Sequence, residues 1–171
     1  MSSQSSFQLA SSFTRSLKGA ALALSLLVPA AAQAAESPFS NLRGSWVGSG
    51  VITMASGSKE NIRCRAIYNV DAAGTNLSIA LRCASESYNF NLTSSLTHSD
   101  GAVTGIWNES THAVGGTITG RGSPGRIQVR AEGTIVNALL AVTTRDNRQS
   151  VSIQSPGSPL ADVAISMSRG K

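Results

Sequence analysis

Two cysteines, Cys64 and Cys83, are the only ones in the chain, and they lie symmetrically about a turn signal at Ala73 and Gly74. If those two residues form the centre of a hairpin, residues whose numbers add up to 147 face each other. Cys64 then faces Cys83, and apolar residues face one another along the rest of the hairpin: Ala66 and Leu81, Tyr68 and Ile79, Val70 and Leu77. A slip of one residue would turn one apolar set outward, so this agreement sets the register. The register predicts a cross-strand disulfide.

The first 34 residues have the pattern of a secretory signal peptide. Arg15 and Lys18 precede a short apolar run at Gly19–Ala30, and Ala32–Ala34 is a small-x-small cleavage site. The run is short for a transmembrane helix, although an uncleaved anchor is the alternative. We expect no stable membrane insertion after cleavage and a periplasmic or secreted protein, a setting in which a cysteine pair is usually a structural disulfide rather than a redox pair.

The mature chain is predicted to be one domain, residues 35–171. Without Arg15 and Lys18, the basic residues fall from fourteen to twelve against nine acidic ones, which leaves a net charge of +3. That excess is too small to indicate a nucleic-acid partner. Residues 35–41 are interpreted as a polar lead-in to the first strand.

Alternating apolar residues then predict about nine short strands, with turn signals every ten or so residues. Residues 134–144 are continuously apolar and fit a buried strand or a short helix, and their β-branched residues favour the strand. The spacing predicts an all-β fold, an antiparallel up-and-down β-barrel of about 8–10 strands, with a β-sandwich as the alternative. A barrel also removes exposed sheet edges.

Gly44-Ser45-Trp46, at the head of the first strand, resembles the Gly-x-Trp entry of calycins, the lipocalin and avidin group. The resemblance implies a barrel whose end is plugged by Trp46, with Arg169 from the last strand packed across the indole ring. The whole mature chain also resembles small exported proteins of alphaproteobacteria, a resemblance that implies no particular activity.

Three arginines, Arg63, Arg65 and Arg82, fall on the outward face of the Cys64–Cys83 hairpin, with Arg65 opposite Arg82. Like charges that face each other are mildly destabilising. A bound anion or the acidic patch of a partner would compensate, whereas a solvated face with splayed side chains is the simpler interpretation.

No catalytic, cofactor or metal site is predicted. His98 and His112 lie near turns at opposite ends of a strand, which argues against a shared metal. Glu86, Glu109 and Glu132 are assigned to turns or outward positions, so raised carboxyl pKa values are not expected. We therefore predict that the protein is not an enzyme.

Small residues at predicted inward positions leave volume inside the barrel, unless the walls of a flattened barrel touch there. These positions are Gly48, Gly50, Ala66, Gly105, Gly116, Ala131 and Ala141. The leading hypothesis is an exported, non-enzymatic envelope protein that binds a small apolar or amphiphilic ligand. The alternative is a protein–protein interaction or inhibitor module, in which the arginine-bearing face contacts an envelope protein.

Overall fold

The computed structural model describes residues 36–170, so the predicted signal peptide and its cleavage site lie outside the described residues. All regular elements in this range are β-strands. They are β1 (Gly44–Met54), β2 (Lys59–Val70), β3 (Asn76–Ala84), β4 (Asn89–Ser99), β5 (Ala102–Glu109), β6 (Val114–Ser123), β7 (Arg126–Gly133), β8 (Asn137–Arg145), β9 (Arg148–Gln154) and β10 (Leu160–Arg169). Residues 36–170 contain no helix long and apolar enough to cross a membrane.

Each strand pairs antiparallel with the next, and β10 pairs with β1, which closes a ten-stranded barrel. The prediction of an all-β, antiparallel up-and-down barrel is confirmed, and the sandwich does not form. The apolar segment around residues 134–144 becomes strand β8 after a turn at 134–136, as its β-branched residues favoured.

The register of the β2–β3 hairpin is also confirmed. Cys64 lies opposite Cys83, with Ala66 opposite Leu81 and Arg65 opposite Arg82. The two sulfur atoms are 2.08 Å apart, at disulfide distance, and the two Cα atoms are 4.1 Å apart. The short turn works because Gly74 adopts a positive φ of 72°, which an L-residue seldom does.

Because successive strands alternate in direction, the connections divide between two ends of the barrel. The turns at 71–75, 100–101, 124–125 and 146–147 lie at one end, together with residues 36–43 and Gly170; we call this the closed end. The turns at 55–58, 85–88, 110–113, 134–136 and 155–159 lie at the other, which we call the far end.

The inward glycines allow neighbouring strands of the barrel wall to approach closely. A Cβ on Gly48 would stand 2.1 Å from the carbonyl oxygen of Ser166 on the neighbouring strand, and one on Gly116 would stand 1.8 Å from that of Glu132. Glycine is required wherever neighbouring backbones approach so closely. These residues are therefore evidence neither of empty volume nor of opposite walls in contact. The inward assignment of Ala141 is wrong, because its neighbours in β8, Leu140 and Val142, are the residues that pack against the core.

Candidate functional site

The segment 36–43 covers the closed end of the barrel. It was expected to be a polar lead-in, but Phe39 is fully buried and Leu42 is only 2% exposed. Pro38 is buried and packs against Gly122 of β6, since a Cβ on Gly122 would stand 2.7 Å from the Cγ atom of Pro38. The apolar residues on the N-terminal side of Gly44 were the available sequence signal for this plug.

Trp46 and Arg169 lie side by side under this segment. Trp46 is fully buried, and its Nε1 donates a hydrogen bond of 2.8 Å to the carbonyl oxygen of Leu42. Arg169 faces Trp46 across the β1–β10 pair, with its Cζ 4.6 Å from the ring centroid. The guanidinium also donates to the carbonyl oxygens of Asn41, at 2.7 Å, and Arg43. The pair thus anchors the covering segment to the last strand through cation–π contact and hydrogen bonds.

A buried polar chain follows just inside the closed end. The Tyr68 hydroxyl donates to Gln149 Oε1 at 2.9 Å, and Gln149 Nε2 donates to Thr144 Oγ1 at 3.2 Å. Burial raises the pKa of Tyr68 to about 12, although the hydrogen bond to Gln149 acts in the opposite direction. Tyr68 therefore stays neutral and serves as a donor within a satisfied network.

Seven apolar side chains at the far end are only partly buried, whereas Ile52 and Ile62 nearby are buried. The seven pack against the core, and yet each remains partly exposed around the rim. They are Met54, Tyr88, Phe90, Leu92, Val114, Val136 and Leu160. Tyr88 and Phe90 stack with ring centroids 6.3 Å apart, and Ile135 at the tip of its turn is 72% exposed. This rim presents an apolar mouth to solvent.

Glu109 lies at this mouth, and its assignment to a turn or outward position is wrong. It is only 4% exposed and pairs with Leu92 and Val114, both of which face the core. Its carboxylate accepts bonds from the backbone N–H groups of Asn91 (2.8 Å), Thr111 (2.9 Å) and His112 (2.8 Å) and contacts His112 Nδ1 at 2.7 Å. Desolvation alone would raise the pKa of Glu109, but these hydrogen bonds outweigh it and lower the pKa to about 2. The sequence signal for an inward Glu109 was available: continuing the alternation of inward Val103 and Trp107 by one more step reaches Glu109.

Trp107 lies one inward position deeper than Glu109 along β5. It is only 7% exposed. Its indole lies close to Gly133, because a Cβ on that glycine would stand 3.0 Å from the ring carbon Cζ2 of Trp107. Its Nε1 is buried without a hydrogen-bond partner, the one such side-chain atom found among residues 36–170. An unpaired buried donor costs roughly 1–3 kcal/mol. The interior of the far half therefore contains a donor that lacks an acceptor.

The histidines are separated, as expected. The ring of His98 packs edge-on against Phe39 at the closed end, whereas His112 contacts Glu109 at the far end. Within residues 36–170, no group of three or more His, Cys, Asp or Glu side chains could hold a metal ion.

Arg63, Arg65 and Arg82 all point away from the barrel and are exposed. They line one groove of about 490 Å³ on the outer wall, with Asn89 and Asn91 beside them. In the part of the chain that the structure describes, the ion pairs are His112–Glu109 and Arg130–Glu132, so none of the three arginines is paired with a carboxylate.

Comparison with known proteins identifies the fold. No family model matches the sequence, and no characterised protein matches it significantly. Among solved structures, the chain resembles Rv2717c from M. tuberculosis, with a TM-score of 0.62 and 15% identity over 81% of this chain and all of that one. It also resembles the S-type phycobiliprotein lyase CPES from Guillardia theta, with a TM-score of 0.52 and 13% identity over 78% of this chain and 90% of that one. The chain has a calycin-like β-barrel fold. At these identities the likeness establishes the fold alone.

Proposed function

We propose that this chain is an exported, non-enzymatic β-barrel protein of the bacterial envelope that binds a small apolar or amphiphilic ligand through the far end. The contrast between the two ends carries the proposal. The closed end is covered by the segment 36–43, whereas apolar side chains of the core reach solvent at the far end. An apolar ligand that covered this rim would remove that surface from water.

The chemistry of the far half favours an amphiphile that carries a hydrogen-bond acceptor. Trp107 supplies an unpaired N–H below the rim, and an acceptor on the ligand would remove the cost of leaving it unpaired. Apart from Glu109, whose carboxylate is held by backbone N–H groups, the core-facing side chains at the rim are aromatic and aliphatic, which suits an apolar body.

Export and the absence of catalysis belong to the same proposal. A cysteine pair at disulfide distance is compatible with an oxidising compartment such as the periplasm or the medium. One structural neighbour is described as a lyase, so the fold can accompany an activity. In this chain the carboxylate–histidine pair at the mouth is occupied in holding its own turn, with the pKa of Glu109 near 2. A carboxylate with so low a pKa is a poor proton acceptor at neutral pH.

A direct test is to purify the protein from envelope extracts, extract it with organic solvent and identify the released molecules by mass spectrometry. We expect a co-purifying amphiphile in stoichiometric amount. A protein that carries nothing, and that gives no saturable signal with the amphiphilic dye 1-anilinonaphthalene-8-sulfonate, would overturn the proposal.

A matched pair of variants sharpens the test. Leu92 belongs to the rim and faces the core, whereas Leu139 points outward and is 42% exposed. Leu92→Trp should weaken dye binding roughly tenfold, because the larger side chain fills the space that the ligand would occupy. Leu139→Trp adds the same atoms outside the barrel and should leave binding unchanged. Equal binding by both variants, with both folded by circular dichroism, would show that the dye binds elsewhere.

A further inference from the structure

A groove on the outer wall of the barrel is separate from the mouth at the far end. The residues that line it include Gly48, Cys64 and Cys83, the three arginines Arg63, Arg65 and Arg82, and the amides Asn89 and Asn91. A second groove of about 490 Å³ adjoins it and shares Arg82 and Asn91 with it. Both grooves are open to solvent rather than enclosed.

The charges that line the groove are all of one sign. No acidic residue contributes to it, and Arg65 lies directly opposite Arg82 on the neighbouring strand. Arg63 lies two residues from Arg65 on the same face of β2, so the three guanidinium groups border one space. Like charges placed opposite each other on a sheet are mildly destabilising, and an anion bound between them would offset that cost.

We propose that this groove binds the phosphate group of a small phosphate monoester. A phosphate monoester carries a charge of about −1.5 to −2 at neutral pH and three acceptor oxygens. That charge offsets the two facing guanidinium groups, and the three oxygens match three arginines. A carboxylate offers one charge and two oxygens, so it would leave the set incompletely paired. Exposed Val47 beside the groove gives the organic part of the monoester an aliphatic contact.

The barrel contains a matched control on another part of its outer surface. Arg145 and Arg148 also lie directly opposite each other, at the β8–β9 hairpin, and both are exposed. They carry the same charge in the same pairing, but they do not line this groove. Two double variants, Arg65→Gln with Arg82→Gln and Arg145→Gln with Arg148→Gln, therefore remove equal charge from two sites. Only the first pair lines the groove.

The experiment measures binding of phenyl phosphate to the purified protein by isothermal titration calorimetry, with benzoate as the carboxylate comparison. We expect saturable binding of phenyl phosphate, weaker binding of benzoate, and a loss of roughly tenfold or more in affinity in the Arg65→Gln, Arg82→Gln variant. The Arg145→Gln, Arg148→Gln variant should stay within about twofold of the wild type.

Three results would overturn the proposal. The first is no binding of phenyl phosphate to the wild type. The second is an equal loss in both double variants, which would mean general attraction of anions to a basic protein. The third is that the wild type sediments with vesicles rich in anionic lipid but does not bind the soluble monoester. If the Arg65→Gln, Arg82→Gln variant no longer sedimented, the groove would be a membrane-contact surface.

Discussion

The two ends of the barrel differ in how their apolar residues are covered. At the closed end, Phe39 and Trp46 are both fully buried, and the covering segment 36–43, to which Phe39 belongs, is held by Trp46 and Arg169. At the far end, Phe90 and Leu92 belong to the same core and remain partly exposed. One end therefore has a cover made of its own chain, and the other does not.

The polar groups follow the same division. Inside the closed end, Tyr68, Gln149 and Thr144 satisfy one another. In the far half, the carboxylate of Glu109 is satisfied by its own turn and by Asn91 of β4, but the indole N–H of Trp107 is left without a partner. Complete pairing with complete burial is typical of a structural core, whereas partial exposure with an unpaired donor is typical of a binding site. Under the proposed function, the closed end stabilises the fold and the far end binds the ligand.

The largest expected difference comes from the same substitution at both ends. Phe39→Ala should destabilise the protein by about 3–5 kcal/mol, because it removes the fully buried ring with which the covering segment packs on the barrel. Phe90→Ala should cost about 2 kcal/mol, because part of that ring already contacts water. Urea unfolding monitored by circular dichroism measures both. Equal costs would mean that the two ends are packed alike.

The far half has no covering segment within residues 36–170, but it contains the Cys64–Cys83 disulfide. Cys64 and Cys83 are 19 residues apart, and a loop of that length gives roughly 3 kcal/mol in the chain-entropy account of disulfides. Cys64→Ser with Cys83→Ser should lower the melting temperature and preserve both the barrel and its ligand binding. Two free thiols in the exported wild type, or binding that switches on reduction with an unchanged melting temperature, would contradict a structural role for the bond.

The sequence predicted the barrel because its strands are short, regular and separated by clear turns. The β2–β3 register followed from one turn and two cysteines, and that information is local. The cover at the closed end was missed, because Phe39 and Leu42 follow no strand period and become buried only when the whole barrel has closed. The inward glycines were interpreted as free volume or as contacts between the walls of a flattened barrel. Neither is correct, because the close approach of neighbouring backbones at Gly48 and Gly116 depends on strand coiling, which composition does not encode. Glu109 was misplaced because it ends a strand, where alternation is read least securely.

Acid should affect the far end more than the closed end. The pKa of buried Glu109 is lowered from 4.5 to about 2, and that of exposed Asp71, at the closed end, is lowered from 3.8 to about 2 by hydrogen bonds led by that from the Asn76 side chain. A carboxyl group whose pKa is lower in the folded state stabilises the protein above its unfolded pKa. That stability is lost as the pH falls through the folded value, here between about 4.5 and 2.

Glu109→Gln should therefore flatten the decline of stability across that pH window and cost roughly 1.5–3 kcal/mol at neutral pH through lost charge-assisted hydrogen bonds. Asp71→Asn is the matched control and should change the decline less, because solvent screens an exposed carboxylate. Urea unfolding at a series of pH values gives both curves. A steeper change in the Asp71→Asn variant would contradict the burial assigned to Glu109.

The most direct measurement uses the two tryptophans as reporters, one for each end. Trp46→Phe leaves Trp107 as the only indole, and Trp107→Phe leaves Trp46. A brominated fatty acid, which quenches tryptophan emission only at short range, is titrated into both variants at concentrations at which dialysis shows that each is saturated. We predict saturable quenching of Trp107 and little quenching of Trp46. Quenching of Trp46 alone, or equal quenching of both, would contradict a closed end that is structural and a far end that binds the ligand.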